Sequence, residues 1–152
     1  MEESEYKSAY SEIADIRCAF EKALTNNKAR CCYSRHFWLA DREGYACKSE
    51  HASSRCRCLL KILRRNARFA LKLPQASDQL PHNMEIRVQA GGLAGMKRLL
   101  GDEPANANDQ ISDIDQLVEH LEAGFGGVEN IPYDRIIPFI SAYQGRTGRR
   151  RK

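Results

Sequence analysis

Several patterns that would announce a function are missing from this 152-residue chain. No apolar run approaches the ~20 residues of a membrane-spanning helix, so no membrane association is expected. The opening, Met1-Glu2-Glu3-Ser4-Glu5-Tyr6-Lys7, is acidic and polar, unlike a secretory signal or an Arg-rich transit peptide. There is no HExxH, no Walker GK[ST] and no G-x-G-x-x-G, and no Ser/His/Asp order can be placed. These absences point away from an enzyme with its own organic mechanism, although a Cys–His nucleophile pair needs only closeness in space. Gly91-Gly92 lacks the rest of a phosphate-binding loop. The glycine loop at 124–127 is too short, and too poor in spaced carboxylates, for a calcium-binding hand. No helix-turn-helix or finger spacing is present. The cysteines form neither the C-x₂₋₄-C pairs of structural zinc sites nor the CxxCxxC run of many iron–sulfur proteins.

What is present is ordinary in bulk and uneven in distribution. Apolar residues make up 42% and charged residues 29%, the profile of a globular chain rather than a disordered one, and the length suits one domain. A cytoplasmic location is expected, and there six cysteines favour metal binding or reactivity over disulfides. The net charge of +4 hides a split. The stretch from Arg55 to Lys72 holds seven Lys or Arg and no acid, and Arg146, Arg149, Arg150, Arg151 and Lys152 close the chain. Twelve of the 24 basic residues thus sit in two patches, and the remainder of the chain is acidic. Such a distribution suits an acidic protein partner or a nucleic acid.

The expected fold is mainly α: about four to five helices over 1–145, a cysteine-bearing loop at 31–58 and a basic tail at 146–152. Tyr6, Tyr10, Ile13, Ile16, Phe20 and Leu24 recur at helical spacing, predicting an amphipathic helix over Glu3 to about Leu24. Cys18 lies off the centre of that stripe and reads as a small packing residue. Residues 28–54 lack a sustained period and read as a long loop with a turn at Asp41–Tyr45; a loop of this length is uncommon unless functional or tied down. Residues 59–72 form the clearest helix. Arg57, Lys61, Arg64, Arg65, Arg68 and Lys72 fall within an arc of roughly 100° on a helical wheel, and apolar residues from Leu59 to Leu71 cover the rest.

Pro74 ends that helix, and residues 74–83 read as a linker. Met84–Val88 alternates apolar and polar residues, the one short extended segment expected. Gly91-Gly92 should punctuate before a short helix at 93–100. A helix capped by Ser112 should run through Gly124. Another should begin near Asn130 and be kinked or split by Pro138.

Five cysteines lie in the order Cys31-Cys32, fourteen residues, Cys47, eight residues, Cys56, one residue, Cys58. Cys32, Cys47, Cys56 and Cys58 are the expected metal ligands, with Cys31, His36 and His51 as alternates. Inside a regular helix Cys56 and Cys58 would point about 200° apart. They can share a metal only if the helix begins at or after Cys58, with Ser53 to Cys58 forming a capping turn. Arg55 and Arg57 would then support the thiolates electrostatically. Dispersed ligands favour an iron–sulfur cluster (4Fe-4S) over zinc, since each iron offers its own corner. The expected function is a small metal-binding protein in electron transfer, sensing or redox-enzyme maturation, docking an acidic protein partner. A zinc-stapled nucleic-acid-binding module using the helix face and Arg149, Arg150 and Arg151 is the alternative, followed by an adaptor with buried structural cysteines.

Overall fold

In the computed structural model, residues 17–72, 80–101 and 110–143 are described. The expected helix over Glu3–Leu24 falls partly outside them, as do most of the 74–83 linker and the tail with Arg149, Arg150 and Arg151. Within the described part, the helix expected to run unbroken to Leu24 is interrupted. Arg17 forms a β-bridge with Ala46, and Cys18 N–H donates to Tyr45 O at 3.2 Å. Helix α1 therefore spans only Glu21–Thr25. Pairing with a strand won over helical propensity at 17–20.

Residues expected to form a loop instead make an antiparallel hairpin, β1 (Ser34–Leu39) and β2 (Arg42–Cys47). The chain reverses at Ala40–Asp41, with Ala40 at φ 56°, so the turn precedes the one expected at 41–45. Phe37 stands opposite Gly44, where a Cβ would lie 2.6 Å from the ring. His36 stacks on Tyr45 at 4.5 Å between ring centroids, and its Nε2 lies 2.7 Å from Glu43.

The longest element is α2, Glu50–Leu71. Ser49 caps it by accepting the Ala52 N–H, Glu50 favours the positive end, and Lys72 closes it in the left-handed conformation. Ala52, Leu59, Leu60, Leu63 and Ala67 are buried along one stripe. Phe69, expected on the apolar side, is 82% exposed.

The extended segment expected at 84–88 is helical. Helix α3 (His82–Ile86) continues through a π-helical turn, Arg87–Gly91, into α4 (Gly92–Leu99). Gly91 and Gly92 therefore lie inside a helix and do not punctuate it. Their use is close approach: a Cβ on Gly91 would sit 2.8 Å from the Ile140 Cα. Helix α5 (Ile114–Phe125) is capped by Asp113, one residue later than expected, and ends at Gly126 with φ 83°. Short 3₁₀ turns at Val128–Asn130 and Tyr133–Arg135 precede α6, Ile137–Ala142, which has Pro138 in its first turn. The last helix is thus split, as proline requires.

One core joins these elements, with Leu59, Leu60 and Leu63 of α2 packed among Val88, Leu93, Met96, Val118, Leu121, Ile136 and Ile140. A buried polar chain runs through it. Arg64 donates to both Glu85 oxygens at 2.9 and 2.7 Å, Gln89 Nε2 donates to Glu85 Oε2 at 2.7 Å, and Gln89 Oε1 accepts the Ala23 N–H at 3.0 Å. This chain fastens residues 19–23 to α3. The mainly α class holds, with its extended structure at 34–47. No helix among the described residues is long and apolar enough to cross a membrane.

The glycine contacts give a paired prediction. Gly91→Ala should lower stability by about 1–3 kcal/mol through overpacking against backbone. Gly124→Ala, in a helix with no heavy atom within 4 Å of the new Cβ, should raise it by about 0.5–1 kcal/mol. Urea denaturation of both variants checks the two signs together.

Candidate metal centre

Four chain segments deliver one cysteine each to a single small cavity. Cys18 arrives on the stretch paired with β2. Cys31 arrives on residues 28–32, which zip onto residues 111–114: Ile111 N–H donates to Lys28 O, Arg30 N–H to Ile111 O, and Ile114 N–H to Arg30 O, at 2.8–3.0 Å. Asp113 secures the same join, its Oδ1 accepting the Cys32 N–H at 3.1 Å and the Asp115 N–H at 3.2 Å. Cys47 ends β2, opposite Ser34, and its Sγ donates to Ser49 O at 3.3 Å. Cys56 lies two turns into α2, on the face that carries Ala52, Leu59 and Leu63. The cavity measures about 20 Å³, and Cys18, Cys31, Cys47 and Cys56 line it with Ala52 and Asp115.

Burial is the main force on these thiols. It pushes Cys18 up to about 12 and Cys56 up to about 12, and it raises Cys31 as well. Mutual repulsion adds to this, since charge on Cys31, Cys47 or Cys56 disfavours charge on Cys18. A reactive thiol switch needs the opposite, an exposed and electropositive thiolate, so the cavity thiols are poorly suited to that role. Backbone hydrogen bonding at Phe20 for Cys18, and at Tyr33 and Asp115 for Cys31, offsets part of this rise, but burial dominates and both thiols stay raised.

Spacing bears on which metal fits. Tetrahedral zinc with Zn–S near 2.3 Å requires sulfurs about 3.8 Å apart. Among the described residues, ligand atoms gathered within 4.8 Å of one another belong to Cys31, Cys32 and Asp113, so no three of the cavity sulfurs are that close. The cavity itself, at about 20 Å³, admits only a water-sized body with the thiols in these rotamers.

The expected ligand set is therefore revised. Cys47 and Cys56 converge with the alternate Cys31, and Cys18 joins them. Because α2 begins at Glu50, Cys56 and Cys58 both lie within regular helix; Cys58 is exposed on another face and is not brought to the cavity. Cys32 is exposed beside Asp113, whose charge, after desolvation, raises its thiol to about 11. His36 is held by Tyr45 and Glu43, and His51 is exposed on the first turn of α2. Arg55 lies beside Cys56, but its guanidinium is shared with Asp115 and Glu122, so it offers less charge support than expected. Arg57 instead donates to Ser53 Oγ at 2.8 Å.

The cationic stripe is also less uniform than the helical wheel implies. Lys61, Arg65 and Lys72 are exposed. Arg64 is committed to Glu85, and Arg68 is 7% exposed, so neither stands free to meet a phosphate. Comparison with protein-family models, curated proteins and solved structures gives no match to this chain.

The buried thiols predict an alkaline instability of the metal-free chain. Cys18 and Cys56 stay protonated in the fold up to about 12 but ionise near 9 once exposed. The unfolded state therefore binds fewer protons above pH 9, and stability falls as pH rises from there toward 12. Urea denaturation between pH 8 and pH 11 should show this fall, and Cys18→Ala with Cys56→Ala should flatten it relative to the parent chain.

Proposed function

We propose that the chain holds an iron–sulfur cluster of the four-cysteine type through Cys18, Cys31, Cys47 and Cys56, and acts in electron transfer, redox sensing or maturation of a larger redox enzyme. The observation that carries this reading is the convergence of four cysteines from four separate segments on one small cavity. Ligation would supply the charge compensation that these buried thiols need in order to ionise. A bound cluster would supply one-electron exchange. One cysteine for each iron leaves no iron open to a substrate, which favours electron exchange or sensing over chemistry on a bound molecule.

The chain's own residues would set how such a cluster behaves. Partial burial of Cys18 and Cys56 limits water at the sulfurs, and backbone hydrogen bonding offsets part of the cost of charging Cys18 and Cys31. Asp115 and Glu122 offset Arg55, which leaves the surroundings without surplus positive charge and favours a low reduction potential. A single structural zinc is the second reading, favoured by the small cavity volume. Zinc would make the site a staple joining α2, the hairpin and residues 28–32.

Protein purified without oxygen, with iron, acid-labile sulfide and zinc measured, tests both. The expected result is about four irons and four sulfides per chain. Cys18→Ser and Cys56→Ser should lose the metal, while Cys32→Ser and Cys58→Ser should keep it. Iron retained by Cys18→Ser but lost from Cys58→Ser would overturn the ligand assignment. About one zinc with no sulfide would replace the cluster by the staple, and a folded chain without metal would overturn both.

A further inference from the structure

On the other side of Cys18 and Ala19 from the thiol cavity lies a groove of about 920 Å³, walled by residues of the 17–22 stretch, α2 and α3. Its two acidic residues are already compensated. Glu85 is held by Arg64 and Gln89. Glu21 accepts from Arg17 Nε at 2.9 Å and from the Tyr45 N–H at 2.9 Å. Three cations on the α2 wall are not balanced in this way. Among the described residues, exposed Lys61 and Arg65 have no acidic partner, and Arg57 donates to the neutral Ser53 hydroxyl without an acidic one.

These three lie four residues apart, so they follow a row inclined to the helix axis with a rise of ~6 Å per step. Phe69, 82% exposed, is the next position on that row and lies just outside the groove lining. Desolvating a phenylalanine is favourable, and a solvent-facing one at the end of a cationic row is unexplained by the core. Regularly spaced positive charges followed by an aromatic face match the chemistry of a single nucleic-acid strand: repeating phosphates at comparable spacing and a flat base to stack. An acidic protein surface is the competing occupant; the regular spacing of the charges, comparable to that of phosphates along a strand, favours the nucleic acid.

We propose that the α2 wall of this groove binds single-stranded nucleic acid, with Arg57, Lys61 and Arg65 on successive phosphates and the strand leaving the groove across Phe69, on which a base stacks. The inference does not depend on what the thiols bind. Because groove and cavity share Cys18 and Ala19, a strand seated there would lie against the outer wall of the thiol site.

Fluorescence anisotropy of the full chain with a labelled mixed-sequence single-stranded DNA, its duplex and a labelled polyglutamate peptide tests the proposal. Single-strand binding should weaken with salt at a log–log slope of about −2, for three phosphate contacts on a single strand. Lys61→Glu with Arg65→Glu should raise Kd by roughly tenfold or more, and Phe69→Ala by about fivefold or more. All three side chains are exposed, and circular dichroism should confirm an unchanged fold. Lack of saturable binding at low salt would overturn the proposal. So would binding unaffected by the charge reversals, which would assign it to the basic tail. Tighter binding of polyglutamate would make this a groove for acidic proteins, and duplex binding equal to single-strand binding with no effect of Phe69→Ala would refute the stacked strand.

Discussion

The pairing of residues 17–18 with β2 is the contact on which the thiol site depends. Had the chain stayed helical there, Cys18 would project from a helix face with no reason to meet Cys47. Instead the Cys18 N–H donates to Tyr45 O, and Arg17 bridges Ala46. That brings the first cysteine alongside the end of β2. Gln89 then holds residues 19–23 from the opposite side through the Ala23 N–H and Ala19 O. The segment is gripped between a hairpin and a helix, and its cysteine has little freedom to leave.

The other three cysteines are fixed by equally local means, each linking distant parts of the chain. Asp113 both caps α5 and holds Cys32, so helix formation and placement of Cys31 are one event. Ser49, two residues after Cys47, caps α2 and sets the phase that turns Cys56 inward. Residues that start the helices therefore also build the site. A substitution at Asp113 or Ser49 would disturb the placement of the thiols as well as helix stability.

The sequence conveyed the helical class, the end of α2 near Pro74 and the split at Pro138, because periodicity and proline sterics are local. It also drew attention to residues 31–58 through their five cysteines, although the hairpin and α2 give that region its structure. It concealed the start of α2. The stripe of Ala52, Cys56, Leu59, Leu60, Leu63 and Ala67 already has helical spacing, and Ser49-Glu50 is a serviceable cap, but the polar Ser53–Ser54 pair masked the pattern. The hairpin was hidden because its turn, Ala40–Asp41, lacks the glycine or asparagine that usually marks one. Met84–Val88 misled in the opposite direction, since a five-residue alternation also occurs on a helix whose far face carries Glu85 and Gln89. Cys18 could not be found from local pattern at all. Its role depends on long-range pairing that no spacing rule encodes.

The thiol cavity and the cationic groove meet at Cys18 and Ala19, so the two candidate sites share a wall. The central claim concerns the first of them, and X-ray absorption at the iron and zinc edges of anaerobically purified protein tests it most directly. The proposed cluster predicts iron with sulfur neighbours only and a second shell of iron around iron, since each thiolate would bind its own iron. A zinc edge with four sulfurs near 2.3 Å and no metal–metal shell would contradict it, and so would the absence of both metals from folded protein.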